Sequence, residues 1–310
     1  KPMHSYWDDA FAIRGLKDAV FLATYLGKEG QAKEFARIRD ELTADVHASI
    51  RLVMERHGID TLPGCAELGD FDATSTTATI APGGELARLP REAVERTFDR
   101  YLANVAKREA GEGELYTPYE LRTVGTFVRL DRRDDAFRLL GLFLRDLRPP
   151  EWNAWAEVVW RDPRTPKFVG DIPHTWVGTD YARSFLDLFA YEREDDAALV
   201  VAAGLPEAWV RSAQGVSVKR LGTPYGPLDL SVAADGSGVR VRLAGLRNVP
   251  PGGLVLKPPI PPGPVSATVD GRPLPLSPGG EVVVRSLPAE VVVFPGAPSA
   301  APSTPSRRTR

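Results

Sequence analysis

The sequence predicts a chain of two structural classes, a set of helical hairpins followed by an antiparallel β domain. Apolar residues recur every three to four positions from about residue 9 to residue 191, which is typical of amphipathic helices. After Leu205-Pro206 the apolar period falls to two, which favours β-strands. The prolines are divided in a similar way, since 15 of the 28 lie between Pro250 and Pro305. The chain therefore has two different parts.

The composition excludes several classes of protein. Of the 310 residues, 43% are hydrophobic and 26% are charged, which is ample for a packed core and excludes a wholly disordered chain. A net charge of -2 argues against a general nucleic-acid binder. The single cysteine, Cys65, excludes a disulfide framework and a cysteine-rich metal site. Because the sequence has no run of about 18 apolar residues, we expect no membrane span.

About seven helices are predicted in the first part. Gly27 and Gly30 separate the first two, as turns or C-terminal caps would. A loop-like stretch from 58 to 90 follows and contains a short helix over 74–81. Three more helices precede Pro149-Pro150, and the last one, over 175–191, follows a tryptophan-rich loop. Each long helix is defined by one apolar stripe, for example Phe35, Ile38, Leu42, Val46, Ile50 and Val53 in the second.

The β domain is predicted from short alternating runs between turn signals. The residues 239–243 alternate cleanly and follow an Asp-Gly-Ser-Gly turn that begins at Asp235, and Asp270-Gly271 is a second strong turn signal. We therefore assign 1–200 to the helical part, 201–296 to an antiparallel β-sandwich and 297–310 to a disordered tail. The arginines of this tail are too few to indicate a nucleic-acid-binding arm.

The first candidate functional segment is Tyr6-Trp7-Asp8-Asp9. Aromatic faces stack on the apolar faces of sugar rings, and carboxylates accept hydrogen bonds from sugar hydroxyls. A carboxyl group beside an indole can also have its pKa raised, as a general acid requires. The alternative is a helix N-cap, with Asp8 or Asp9 preceding the helix.

The second candidate segment contains Glu67, Asp70 and Asp72 and is followed by a run of hydroxyl residues. Three acids could line a substrate cleft. They could also bind a cation such as calcium, although their spacing is not that of an EF-hand. The alternative is a capped short helix, with Asp72 or Thr74 as the cap.

The third candidate segment is a loop that holds four of the six tryptophans. Glu157 lies among three of these indoles, so it is the best single candidate for an active-site carboxylate. The alternative is an aromatic core that supports the loop. The other candidate residues of this segment are Trp152, Trp155, Asp171, His174 and Trp176.

The sequence contains no motif that would indicate several other kinds of chemistry. We find no HExxH or CxxC pattern for zinc, no GxSxG elbow and no Walker or GxGxxG loop. His47 and His57 are interpreted as surface residues, and Cys65 as a buried or incidental thiol. We therefore predict no metal and no organic cofactor.

The arrangement of helical hairpins, acidic and aromatic loops and a β domain resembles the C-terminal part of a bacterial six-hairpin, (α/α)6-barrel glycoside hydrolase. The segment from Ser5 to Asp9 is similar to the Trp-Asp segments of that superfamily. The Thr-Pro-Tyr-Gly segment that begins at Thr223 is similar to the one that opens the C-terminal β-sandwich of α-L-rhamnosidase-like enzymes. The resemblance implies a partial (α/α)6 toroid followed by an antiparallel β-sandwich.

The resemblance also implies catalytic roles. If 175–191 is the twelfth barrel helix, the helix after Trp7 is the sixth. In glucoamylase-like members the general acid lies just before helix six and the general base between helices eleven and twelve. Asp8 or Asp9 would then be the acid and Glu157 the base of an inverting hydrolysis, whose carboxyl groups stand about 6.5–9.5 Å apart.

Two other functions stay open at this point. The chain could be a non-catalytic glycan-binding or structural module, or it could be a polysaccharide lyase with Tyr6, Tyr119 or His174 as the base. The expected partners are an oligo- or polysaccharide and either the missing N-terminal half of the barrel or a second chain. We expect neither nucleic acid nor a membrane span. The resemblance favours an extracellular or periplasmic location, whereas the single cysteine also fits the cytoplasm.

Overall fold

The computed structural model describes residues 3–112, 117–145, 147, 150–157, 170–261, 263 and 265–296. The chain divides into two compact units. The first comprises Lys1–Leu130 and Arg138–Phe185, and the second comprises Asp131–Phe137 and Leu186–Arg310. The first unit is helical and the second contains two β-sheets, which confirms the predicted change from helix to strand.

Within the described ranges the chain has eight α-helices. Short 3₁₀ turns lie at Leu86–Arg88, Pro118–Leu121 and Pro150–Trp152. The seven helices that precede the first strand agree with the number predicted, and the short third helix is among them. The helices are α1 (Tyr6–Tyr25), α2 (Glu29–His57), α3 (Ala73–Ile80), α4 (Arg91–Glu109), α5 (Arg122–Arg129), α6 (Arg133–Arg145), α7 (Thr175–Asp187) and α8 (Glu207–Val210).

The start of α1 differs from the sequence interpretation. Ser5 is the N-cap, and its Oγ accepts a hydrogen bond from the backbone N–H of Trp7 at 3.3 Å. Asp8 and Asp9 therefore lie inside the first turn, where their negative charges interact favourably with the positive end of the helix dipole. The idea that one of these two acids is the N-cap is wrong, because a serine one turn earlier already performs that role.

The first unit has a buried inner set of helices. Seven of the eight residues of α5 are buried, and so are six of the eight residues of α3. In contrast, α2 and α4 each bury one stripe, as amphipathic surface helices do. Helix α3 contacts α1, α4 and α5. The aromatic contact between Phe98 and Phe127, with ring centroids 5.6 Å apart, ties α4 to α5 within this core.

The second half of α1 exposes a large apolar surface. Phe21 is 68% exposed and Tyr25 is 79% exposed, and Leu22 and Leu26 beside them are also more than half exposed. Single exposed apolar residues are ordinary, but four within six positions form a patch of the kind that other protein surfaces cover. We refer to Phe21, Leu22, Tyr25 and Leu26 as the α1 patch.

The second unit contains a four-stranded and a six-stranded sheet. The order is β1-β2-β6-β9 in the smaller sheet and β3-β4-β5-β10-β7-β8 in the larger one. The strands are β1 (Ala190–Arg193), β2 (Ala198–Val201), β3 (Val216–Thr223), β4 (Gly226–Asp235), β5 (Gly238–Ala244), β6 (Leu254–Leu256), β7 (Val265–Val269), β8 (Arg272–Leu274), β9 (Val282–Val284) and β10 (Ala289–Pro295).

Two expectations about this unit need correction. The β2–β6 pair is parallel, so the sheets are rich in antiparallel pairs but not wholly antiparallel. Helix α7 ends at Asp187, and β1 and β2 lie in the stretch up to residue 200 that the sequence assigned to the helical part. The apolar run before residue 201 is buried on both faces of a strand, and such a run cannot be told from a buried helix by periodicity.

The predicted turns join strands of the larger sheet. Asp235 ends β4 and Gly238 begins β5, as the turn signal indicated. Asp270 (φ 48°) and Gly271 (φ 77°) connect β7 to β8 as a two-residue hairpin loop with two positive φ angles, which Asp-Gly tolerates at low cost. The segment from Thr223 to Gly226 forms the β3–β4 turn, in which the Thr223 hydroxyl donates to the carbonyl of Gly226 at 2.6 Å. The predicted tail, 297–310, lies outside the described residues.

Candidate functional site

Four aromatic side chains of the first unit form one cluster, which we call the aromatic cluster: Trp7, Phe11, Tyr119 and Trp176. Trp7 and Phe11 lie one turn apart on α1, with ring centroids 5.4 Å apart. Trp176 lies 5.8 Å from Trp7, and Tyr119 lies edge-on to both indoles at 6.4 and 5.9 Å. Trp176 is 45% exposed, so the cluster presents an indole to the solvent.

Three rings of the cluster, those of Trp7, Tyr119 and Trp176, lie at the same position of their helical elements. Trp7 is the second residue of α1, Trp176 is the second residue of α7, and Tyr119 is the second residue of the 3₁₀ turn at Pro118–Leu121. The starts of three helical elements therefore bring these rings together.

A buried ion pair lies behind the aromatic cluster. The Arg122 guanidinium carbon lies 4.2 Å from the Trp7 ring centroid and 5.4 Å from that of Tyr119. Nε and Nη2 of Arg122 donate to Oδ2 of Asp180 at 3.1 and 2.5 Å. Burial raises the pKa of Asp180, and the Arg122 charge opposes that shift. The pair therefore fixes the guanidinium plane against the indole of Trp7.

Glu157, Asp171 and His174 form a second group next to the aromatic cluster. One potential ligand atom from each of the three lies within 4.8 Å of the others. The backbone N–H of Glu157 donates to the Asp171 carbonyl at 2.9 Å, and that of His174 donates to the Trp155 carbonyl at 3.2 Å. These two bonds hold residues 155–157 against residues 171–174, which directly precede α7. We refer to the three side chains as the 157–174 triad.

Tyr119 joins the aromatic cluster to the 157–174 triad. Its hydroxyl is hydrogen-bonded to Nε2 of His174 at 2.6 Å. Burial is the main reason why the pKa of Tyr119 is raised, and the negative charge of Glu157 adds to it. The phenol therefore stays protonated around neutral pH and can hold the imidazole in place.

The two acids of the first turn of α1 lie in different environments. Asp8 is exposed, whereas Asp9 is partly buried. Burial raises the pKa of Asp9, the charge of Asp8 raises it further, and the nearby His4 opposes the shift. Of the two candidate acids, Asp9 is the one whose surroundings favour a protonated carboxyl group.

The other predicted residues of the first two segments have structural contacts. Tyr6 is buried, and its hydroxyl lies 2.8 Å from that of Ser49. Glu67 pairs with His4 at 2.5 Å, which raises the pKa of the histidine and lowers that of the glutamate. Asp70 accepts from the backbone N–H of Cys65 at 3.1 Å and so closes a loop.

Asp72 is the N-cap of α3. It accepts from the backbone N–H of Ser75 at 2.9 Å and from the Ser75 hydroxyl at 2.5 Å. This confirms the alternative interpretation of the second segment as a capped short helix. Both oxygens of this carboxylate therefore have a hydrogen-bond partner at the helix end.

The tryptophans of the third segment differ in their surroundings. Trp155 is buried, with its ring centroid 4.6 Å from that of Tyr181 and its Nε1 donating to the Phe143 carbonyl at 3.4 Å. This is the packing expected of an aromatic core that supports the loop. Trp152, in contrast, is 60% exposed. Trp160, Arg161 and Asp162, which belong to the same predicted segment, lie outside the described residues.

The structure thus brings together Trp7, Glu157, Asp171, His174 and Trp176 from the two distant segments. Sequence reasoning missed three contributors. Phe11 carried a signal, since it lies four residues after Trp7 on the same helix. Arg122 and Asp180 carried none, because a buried ion pair looks in a sequence like any two charged residues on helices. Sequence reasoning also missed that Glu157, Asp171 and His174 are close enough to hold a metal ion.

Comparisons with known proteins give distant structural similarity only. No family model and no curated protein matches the sequence. A solved structure of α-L-rhamnosidase from Dictyoglumus thermophilum aligns with 88% of this chain at a TM-score of 0.41 and 12% sequence identity. The match covers 30% of that protein, so this chain spans less than a third of its length.

Among the described residues, no helix is both long and apolar enough to cross a membrane.

Proposed function

We propose that this chain carries part of the active site of a glycoside hydrolase that uses two carboxyl groups and water. The observation that supports this best is the contact between the aromatic cluster and the 157–174 triad through Tyr119 and His174. An aromatic surface binds the C–H face of a sugar ring, and an adjoining carboxylate can act on the glycosidic bond.

Asp9 is the proposed general acid and Glu157 the proposed general base. Asp9 gives its proton to the leaving oxygen as the bond between that oxygen and the anomeric carbon breaks. Glu157 takes a proton from the water that forms the new bond to the same carbon, so the configuration is inverted. The partial burial and raised pKa of Asp9 support its role as the acid.

The proposal is tested by hydrolysis of a panel of aryl glycosides that includes an aryl α-L-rhamnoside. We expect Glu157→Gln to lower kcat by about 10²–10⁴-fold, which is the usual contribution of a general base. The matched control is Glu151→Gln, since Glu151 is exposed in the same segment, and it should retain the wild-type rate. Equal activity of Glu157→Gln and wild type would remove Glu157 from the mechanism.

A second pair of variants separates the two candidate acids. Asp9→Asn should lose activity on substrates with poor leaving groups and retain more activity on activated aryl glycosides, because these need less protonation. Asp8→Asn should change the activity on both kinds of substrate only slightly. Proton NMR of the first sugar released shows whether the anomer is inverted. If Asp8→Asn loses more activity than Asp9→Asn on substrates with poor leaving groups, Asp8 is the general acid instead of Asp9.

The polysaccharide lyase is the second candidate, favoured by the short hydrogen bond between Tyr119 and His174. Two features count against it. A lyase base of this kind benefits from a lowered pKa, whereas the pKa of Tyr119 is raised. A uronate substrate also carries a negative charge, which the carboxylates of Glu157 and Asp171 would repel. Ultraviolet absorbance of unsaturated products would favour the lyase, and glycan binding without any turnover would favour a binding module.

A further inference from the structure

The 157–174 triad has a mixed nitrogen and oxygen donor set. It offers one imidazole nitrogen and two carboxylate oxygens, with the donor atoms of all three residues within 4.8 Å of one another. Ligand atoms on one tetrahedral ion with bonds of about 2.0–2.2 Å stand about 3.3–3.6 Å apart, so the donors need to approach one another by at most about 1.5 Å. Small side-chain rotations therefore let the three donors converge on a single ion.

The backbone holds the three donors in place before any ion binds. The bonds from Glu157 to Asp171 and from His174 to Trp155 pair the two segments that carry the triad. The Thr117 hydroxyl also donates to the carbonyl of Glu157 at 3.0 Å. A site built on fixed backbone loses less conformational entropy when it binds an ion.

One ring nitrogen of His174 already has a hydrogen-bond partner, as is common for metal-bound histidines. Its Nε2 is engaged by the Tyr119 hydroxyl. A cation would therefore be bound through Nδ1, and the ring would donate its Nε2–H to the phenol oxygen. Metal-bound histidines usually donate their second ring N–H to such a partner, which fixes the tautomer and the ring plane.

We propose that Glu157, Asp171 and His174 bind a divalent transition-metal cation such as Zn²⁺ or Mn²⁺. A mixed nitrogen and oxygen donor set favours these ions over Mg²⁺ and Ca²⁺, which prefer oxygen ligands alone. Three protein ligands leave coordination positions open for water or for sugar hydroxyl groups. Binding of the cation does not require hydrolytic activity, although the two functions share Glu157.

The shared residue gives the proposal a second consequence. A cation bound to the Glu157 carboxylate withdraws electron density from it and makes it a weaker base. We therefore expect Zn²⁺ to inhibit glycoside hydrolysis at concentrations that fill the site, and a chelator to restore the activity.

The experiment measures Zn²⁺ binding to the metal-free protein by competition with a chromophoric chelator, and Mn²⁺ binding by electron paramagnetic resonance. Wild type should bind one equivalent. His174→Ala and Asp171→Asn should each weaken binding at least tenfold, and Tyr119→Phe should weaken it about tenfold through the lost hydrogen bond to the imidazole. The matched controls are His57→Ala and Glu151→Gln, both at exposed positions, and they should bind as wild type does. Circular dichroism checks that every variant is folded.

The proposal is overturned if the wild type binds neither ion, or if His174→Ala and Asp171→Asn bind as tightly as the controls. These readouts do not involve turnover, so the two proposals can fail separately. Cation binding without hydrolysis of any glycoside contradicts only the proposed function. Hydrolysis that depends on Glu157 without cation binding contradicts only the metal site.

Discussion

Glu85 and Glu157 are both glutamates of the helical unit, and their surroundings are opposite. The Glu85 side chain has no exposed surface and contacts three nitrogen donors, Nζ of Lys17 at 2.7 Å, Nε2 of His47 at 3.0 Å and Nη1 of Arg88 at 2.9 Å. Burial alone would raise the pKa of Glu85, but the hydrogen bonds from His47, Lys17 and Arg88 lower it to about 2. This carboxylate is therefore charged around neutral pH, and cationic or hydrogen-bonding side chains surround it.

Glu157 is only partly buried and lies next to a second carboxylate and an imidazole. Like charges placed side by side cost free energy unless a proton, a cation or a substrate compensates. The comparison teaches that the first unit uses the same residue type for two purposes. A carboxylate surrounded by cations contributes to stability, whereas one held beside another carboxylate is available for chemistry. Four predictions test the structural side of this contrast.

The largest effect on stability is expected at Glu85. Glu85→Ala removes the counter-charge of the partly buried Lys17 and the hydrogen-bond partner of His47, so we expect a loss of about 3–5 kcal/mol in the free energy of unfolding. Urea unfolding measures it. Glu157→Gln should leave the free energy of unfolding unchanged or slightly higher, because it removes a repulsion. A similar loss of unfolding free energy in both variants would show that the two glutamates do not differ in their contribution to stability.

The pH dependence of stability follows from the same group. The folded-state pKa of Glu85, about 2, lies below its ordinary value of 4.5. The stabilisation by its charge is therefore present above about pH 4.5 and is lost as the pH falls through 2. It amounts to about 3 kcal/mol from the linkage relation. The free energy of unfolding should fall between these values, and the fall should be shallower in Glu85→Gln.

A smaller effect is expected behind the aromatic cluster. Arg122→Lys keeps the charge but loses the planar contact with Trp7 and one of the two hydrogen bonds to Asp180. We expect a loss of about 1–2 kcal/mol and a changed near-ultraviolet circular dichroism signal from the indoles. The control is Arg91→Lys, since Arg91 lies on the surface. An unchanged spectrum would show that the guanidinium does not position Trp7.

The smallest effect is expected at the α1 patch. Leu22→Ser should change the free energy of unfolding by less than about 0.5 kcal/mol, since the side chain is already more than half exposed. The same variant tests the expected partner, another set of helices that covers this patch. If a second copy covers it, sedimentation velocity should show a smaller species for the variant than for wild type. A large loss of stability in a chain that stays monomeric would contradict the exposed position of Leu22.

Local patterns allowed much of the fold to be predicted. The apolar stripes of α2 and α4 indicate helices because each buries one face. The Asp270-Gly271 turn indicates a hairpin because few other dipeptides tolerate two positive φ angles. Strands β1 and β2 could not be predicted in this way. Each has four residues, and the β6 partner of β2 comes more than 50 residues later.

The candidate site was predicted in part for a related reason. Trp7, Glu157 and Trp176 were recognisable because indoles and acids concentrate in short segments. The link through Tyr119 was not recognisable in the sequence, because its hydrogen bond to His174 joins residues that are 55 positions apart. The core role of Trp155 also depends on a distant contact, with Tyr181 of α7. A sequence shows which residues can perform a given chemistry, but not which of them lie close together in the folded protein.

The position of Trp7, Tyr119 and Trp176 at the second residue of their helical elements limits how this site can change in evolution. One residue inserted between Ser5 and Trp7 would turn the indole by about 100° around the axis of α1 and remove it from the cluster. An insertion in the connection between α2 and α3 would leave all three rings where they are. Related proteins should therefore vary in the lengths of their connections and keep these three helix starts in register.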